Sequence, residues 1–145
     1  MNIWQYNGSD FTAEDAQTKI DEGYIGFLYI ITDASNGKKY VGKKLLSSKK
    51  KLTPLKGQKR KRIKIIQSDW ESYHGSSESL KEQVALRIDD FHREIIEFAK
   101  AKGELSYIEA KYQFEHNVLL DRNNWYNGII SCRINYKHLR ALWIN

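Results

Sequence analysis

The chain has 145 residues, 41% hydrophobic and 29% charged, with a formal net charge of +6. That length suits a single domain, 1–145, with one core, and a lone cysteine, Cys132, excludes a disulfide framework or a multi-cysteine zinc site. The first ten residues lack the layout of a signal peptide and the longest apolar run, Phe27 to Ile31, is too short to cross a bilayer, so a cytoplasmic location with no membrane partner is expected.

Residues 1–11 form an aromatic-rich lead-in and, with the next helix, an expected N-terminal extension over 1–23. Thr12-Ala13-Glu14-Asp15 predicts a helix start, a hydroxyl N-cap followed by acids in the first turn, and Gly23 predicts its stop. Tyr24 to Thr32, rich in aromatic and β-branched residues, predicts a strand. Asn36-Gly37 predicts a tight hairpin turn, because both residues tolerate positive φ, with Lys38 to Gly42 returning. Side-chain alternation then puts Tyr29 and Tyr40 on one sheet face. A wider loop that shifts the register by an even step keeps that facing and brings the phenols closer.

Residues 43–64 predict a basic insertion, a loop plus part of a helix, containing the one proline, Pro54. Eleven Lys and Arg lie there with no acid, among them Lys43, Lys44, Lys59, Arg60, Lys61, Arg62 and Lys64. Setting those eleven aside leaves 13 basic against 18 acidic side chains, a net of −5. A positive block on an acidic body suits a polyanion held at one place, although a solvated loop would have the same composition. Gly75-Ser76-Ser77 predicts a further helix start, with Leu80, Val84 and Ile88 recurring at helical spacing. Phe91 to Phe98 predicts a helix or, from the alternation of Phe91, Arg93, Ile95 and Glu97, a third strand. Gly103 to Ser106 opens a last helix with Leu105, Ile108 and Tyr112 on one stripe, and 129–145 reads as a C-terminal extension. The expected fold class is α/β, with a small antiparallel three-stranded central sheet flanked by helices.

Gly26-Phe27-Leu28-Tyr29, ten intervening residues and Tyr40-Val41-Gly42 resemble the two name-giving elements of the GIY-YIG nuclease superfamily, with Phe27 and Leu28 where glycine and isoleucine are usual. The stretch Asn36 to Lys43 is similar to that of phage and homing-type members. Trp70-Glu71-Ser72-Tyr73-His74-Gly75-Ser76-Ser77 resembles their aromatic-Gly-Ser junction before a helix. Ser106-Tyr107-Ile108-Glu109 lies where the family places its metal-binding glutamate, and Trp125-Tyr126-Asn127-Gly128-Ile129 matches its closing Tyr-Asn element.

What the resemblance implies is an endonuclease that hydrolyses DNA phosphodiester bonds with Mg²⁺ or another divalent cation such as Mn²⁺, similar to stand-alone phage-encoded members. Glu109 would hold the metal, Tyr29 would orient water or phosphate, and Asn127 would lie near the reaction. Tyr40 would be the general base, a poor one at its ordinary pKa of about 10 unless Lys43 or the metal lowers it. For the family arginine, usual about ten residues past the second tyrosine, this chain has only lysines. Either a lysine substitutes or Arg62, ahead of Arg60, fills the position. His74, ahead of Tyr73, is expected at a second proton-transfer or phosphate-contact position.

Plainer readings stand beside these. Glu109 has the makings of an ordinary surface glutamate, and Asn127 of a turn cap. Glu115 and His116 could be drawn into a metal cluster with Glu109, but exposed polar positions explain them equally. The rival function is a DNA- or RNA-binding module that does not cut. About sixteen residues follow Ile129, so high sequence specificity would have to come from the first 23 residues, the basic insertion or a dimer, with monomer and homodimer both open.

Overall fold

A computed structural model describes residues 2–144. In chain order the elements are β1 (Gln5–Tyr6), β2 (Ser9–Asp10), α1 (Ala13–Asp21), β3 (Gly26–Asp33), β4 (Lys39–Leu45), β5 (Ser47–Leu52), β6 (Arg62–Gln67), α2 (Glu78–Leu86), β7 (Phe91–Ala99) and α3 (Lys102–Glu115). Short 3-10 turns lie at Trp70–Ser72, Ile88–Asp90 and Tyr136–Leu142. Among the described residues no helix is long and apolar enough to cross a membrane.

The main sheet has five strands, not three, in the order β2-β1-β7-β3-β4. Its centre is the expected antiparallel trio β7-β3-β4, and β1 adds parallel to β7. Strands β1 and β2 are two residues each, too short for any alternation to register in a sequence. The N-terminal residues are therefore woven into the domain instead of extending it, with Trp4, Phe11 and Ala16 buried in the core.

Helix α1 starts as its sequence predicts. Thr12 accepts from the Asp15 amide while the Asp15 carboxylate accepts from the Thr12 amide, a reciprocal capping box, and Gly23 follows with φ of +96°. The hairpin differs in detail. Its loop is four residues, Ala34 to Gly37, closed by the Gly37 amide donating to the Asp33 carbonyl at 2.7 Å, and within it only Gly37 takes positive φ. The resulting register sets Tyr29 opposite Gly42 and Tyr40 opposite Ile31, an even shift from a two-residue turn. Both phenols stay on one face and move closer.

Strand β7 alternates inward through Phe91, Arg93 and Ile95. A bulge then leaves Ile96 without a partner on β3, so Glu97 points out and Phe98 points in. In α2, Leu80 and Val84 are buried, but the helix ends at Leu86 and leaves Ile88 half exposed in the following turn. The basic segment holds no helix. Its first residues complete β4, and Ser47 to Gln67 form a separate two-stranded antiparallel ribbon, β5–β6. The alternation Arg62-Ile63-Lys64-Ile65 is a strand signal that the surrounding charge obscures.

Both faces of the sheet are covered, which is why β3 is buried almost throughout. On one face Phe27, Tyr29, Ile31 and Tyr40 pack with Trp4, Phe11, Trp70 and Leu80. On the other, Leu28, Ile30 and Val41 pack with Val118, Trp125 and the α3 residues Ile108 and Tyr112. Trp4 meets Phe27 and Tyr29 edge-on at 5.2 and 5.4 Å, and its indole donates to the Trp70 carbonyl at 2.8 Å. Buried Arg93 lies over the Trp4 ring and donates to carbonyls of Asn2, Glu71 and Tyr73. Burial without a carboxylate partner lowers its pKa to about 10. At the far end of β3, fully buried Asp33 receives Arg87 through two nitrogens at 3.1 and 2.8 Å and the Tyr126 hydroxyl at 2.6 Å.

Candidate active site

Strand β4 is the last strand of the sheet, and part of its outer side is sealed by the chain near Asn127. The Lys39 amide donates to the Asn124 carbonyl and the Tyr126 amide to the Lys39 carbonyl. One step further the Asn127 side chain substitutes for a strand residue. Its Oδ1 accepts from the Val41 amide at 3.0 Å and its Nδ2 donates to the Val41 carbonyl at 2.8 Å. Beyond Val41 the seal ends and a cleft of about 590 Å³ opens, lined by Tyr29, Tyr40 and Lys43 from the sheet, Tyr73 and Ser76 before α2, and Glu109 from α3.

Gly42 makes the phenol pair possible. A methyl group there would collide with the Tyr29 hydroxyl and its ring carbon, so only glycine lets that phenol lie across the strand. The Tyr29 and Tyr40 ring centroids are 6.3 Å apart, and Tyr73 stands perpendicular to Tyr29 at 5.9 Å. Gly75, at φ of +90°, turns the chain so that the Ser76 hydroxyl reaches the Tyr40 hydroxyl at 3.0 Å. A side chain at Gly75 would press on Leu80 and Tyr40.

Burial disfavours ionisation of the three acidic groups in the cleft. Burial raises the pKa of Tyr29 well above the ordinary value. Burial likewise raises Tyr40, against the opposing hydrogen bond from Ser76. Glu109 is also pushed up by burial, with the Lys43 charge pulling the other way. Lys43 donates to the Ser106 hydroxyl at 2.7 Å, which leaves two of its three N–H groups for other acceptors.

The cleft thus gathers Tyr29, Tyr40, Lys43, Glu109 and Asn127. It does not gather Arg62 or His74. Arg62 lies exposed on β6 and donates to the Thr53 carbonyl within its own ribbon, because the segment that would have carried it to the cleft as a helix is a strand. Among the described residues no arginine lines the cleft, and Lys43 is its one cation. His74 points away, Nδ1 against the Ser72 carbonyl at 2.9 Å, and burial plus the Arg93 charge lower its pKa. Extended backbone at Tyr73 puts successive side chains on opposite sides, so Tyr73 faces the cleft when His74 cannot. Lys44 is paired with Asp69 at 2.5 Å over the Tyr73 ring. Lys59, Arg60, Lys61 and Lys64 are exposed on the ribbon and its loop.

Sequence reasoning missed Gln113. It lies one helical turn past Glu109 on α3, lines the same cleft, and its buried Oε1 has no protein partner. The four-residue spacing from Glu109 was the available signal. Glu115 and His116 take no part. His116 stacks on Tyr112 at 3.8 Å, and among the described residues no three His, Cys, Asp or Glu side chains form a metal cluster.

No curated protein and no solved structure matches the chain. Among protein families, residues 4–130 match the one described as "Putative endonuclease segE, GIY-YIG domain". That span takes in β1 through the Asn127 segment, every residue that shapes the phenol pair, and Glu109. The chain belongs to the GIY-YIG endonuclease-domain family.

Proposed function

We propose that the chain is a divalent-cation-dependent endonuclease that hydrolyses DNA phosphodiester bonds in the cleft beside β4. The observation that carries this reading is the meeting of Tyr29, Tyr40, Lys43 and Glu109 in one cleft, on a chain of this family. The donor set fits a hard cation. Glu109 supplies one carboxylate, Tyr40 and Ser76 supply hydroxyls, and Gln113 has an unpartnered carbonyl oxygen. All are oxygen ligands, and one carboxylate suits Mg²⁺ or Mn²⁺ that keeps most of its waters. When bound there, the cation supplies positive charge against the phosphate and toward the phenols.

The remaining work falls to the chain itself. Lys43, with two free N–H groups, takes a phosphate oxygen in place of the family arginine. It acts as a point charge and not as a two-pronged fork. Tyr29, held rigidly over Gly42, orients the attacking water. Tyr40, in its ionised form, accepts that water's proton at its phenolate oxygen as the new P–O bond forms. The ester P–O bond breaks and its leaving oxygen takes a proton from solvent water, while the Ser76 hydroxyl holds the Tyr40 oxygen in place. Asn127, with its amide committed to Val41, positions the Gly128–Ile129 wall and does no proton transfer.

The test is cleavage of supercoiled plasmid with Mg²⁺ or Mn²⁺. Glu109→Gln is expected to lower the rate by about a hundredfold or more, with DNA binding in chelator retained. An undiminished rate in Glu109→Gln would remove the assigned role. The absence of an arginine from the cleft favours a second reading, a module that binds nucleic acid without cutting. Salt-dependent binding with no nicking under either cation would select it.

A further inference from the structure

Strands β5 and β6 form a sheet of two, paired only with each other among the described residues. Between Ser47 and Gln67 the chain carries nine Lys and Arg and no acid. Among the described residues none of the nine enters a salt bridge. Lys50 and Lys64 are directly opposite one another, and like charges so placed destabilise a strand pair. On the other face Ile63 and Ile65 are 62% and 56% exposed, flanked by their cross-strand partners Lys51 and Lys49. A two-stranded hairpin is marginal in water by itself, and nothing in the described chain relieves this one's repulsion or covers its isoleucines.

Only the root is anchored. Leu46 is fully buried, the Ser68 amide donates to its carbonyl at 2.9 Å, and Gln67 donates to the Ala13 carbonyl. The ribbon continues directly from β4, the strand that supplies Lys43 to the cleft.

We infer that the β5–β6 ribbon is an arm that lies in the major groove of duplex DNA and holds the duplex against the cleft. This rests on DNA being the substrate and specifies how it is gripped. Six-residue strands are about 20 Å long at ~3.3 Å per residue, somewhat over half a helical turn of DNA. A B-form major groove, about 12 Å wide, admits a two-stranded ribbon, whereas the minor groove at about 6 Å does not. The deep, narrow major groove of duplex RNA excludes one as well. Cations on both faces suit a site walled by phosphates on two sides better than a flat contact. Ile63 and Ile65 then face the floor of the groove, where thymine methyl groups offer apolar contact. Lys50, Arg62 and Lys64 reach the flanking phosphates.

The experiment compares the full chain with the fourfold variant Lys49→Gln, Lys50→Gln, Lys51→Gln, Lys64→Gln. All four lysines are exposed, so an unchanged thermal melt is expected and is the folding control. Binding to a labelled duplex about two turns long is measured by anisotropy in chelator, across about 50 to 200 mM salt. The variant is expected to lose about 0.9 from the log–log salt slope per phosphate contact removed, about 2 in all for Lys50 and Lys64. Dimethyl sulfate should find guanine N7, in the major groove, protected by the native chain and not by the variant. An unchanged slope overturns the inference. So does protection confined to adenine N3, or equal ribbon-dependent binding to duplex RNA. Plasmid nicking separates the two readings. A native chain that nicks while the variant binds with the native slope sinks the ribbon alone. Ribbon-dependent N7 protection without nicking under Mg²⁺ or Mn²⁺ sinks the endonuclease alone.

Discussion

Tyr40 keeps its proton near neutrality because burial disfavours the phenolate more than Ser76 stabilises it. A proton acceptor of that kind works through its rare ionised form, which grows tenfold per pH unit below the pKa. The single-turnover cleavage rate should therefore climb across the neutral range with a slope near one, and Tyr40→Phe should abolish both the activity and the climb. A flat profile in the native chain would assign the base elsewhere. Asp33 runs in the opposite sense. Arg87, and secondarily Ser35 and Tyr126, hold its carboxyl well below the ordinary range. The stabilisation is thus complete above the unfolded-state pKa of about 4 and disappears as pH falls from there toward the folded-state value. Asp33→Asn is expected to lower stability at pH 7 by removing the carboxylate from a half-buried ion pair, with Arg87 left to Asp90 alone. Urea unfolding at pH 7 and pH 3 should show a smaller acid-induced loss for the variant, and equal losses would place the pH sensitivity in another group.

Among the elements, the β3–β4 hairpin is the most sensitive to a single added carbon. Gly42→Ala drives a methyl group into the Tyr29 phenol, which is 1% exposed and cannot swing clear between Trp4 and Tyr73. Overpacking of this kind costs about 1–3 kcal/mol, and cleavage should fall at least about tenfold as the phenol is displaced. Adding Tyr29→Phe should recover part of the stability and none of the activity; purely additive stability losses would show that the two residues do not meet. This hairpin was legible in the sequence because its signals are local, with aromatic and β-branched strands, a glycine at the turn and a fixed spacing of tyrosines. The capping box at Thr12 and Asp15 and the helices holding Leu80 and Glu109 were legible for the same reason. What the sequence hid is non-local. Two-residue strands have no period, the Ile96 bulge exists only against β3, and β6 carries its alternation inside a charge run that reads as loop. Arg62 and His74 were candidates by residue type, but strand geometry decides which side chain turns inward, and there it selects Lys43 and Tyr73.

At the scale of the whole molecule, residues 4–11 help to fill the main core. Trp4 touches both cleft-side aromatics of β3, lies under Arg93 and ties to Trp70. Trp4→Ala is expected to cost about 3–5 kcal/mol, which for a chain of this size lowers Tm by roughly 10 °C or more. A melt within a few degrees of native would mean that the N-terminal segment packs only loosely.

The pairing of Asn127 with Val41 bears on how copies of the chain behave toward one another. A terminal strand with bare amides and carbonyls is a template on which a second molecule can stack, and repetition of that step builds fibres. With one amide side chain occupying both groups of Val41, the template is interrupted midway along β4. Aspartate at 127 would keep the size but turn a second acceptor toward the Val41 carbonyl and reopen the strand, so concentrated solutions of that variant should scatter light and bind thioflavin while the native protein stays clear.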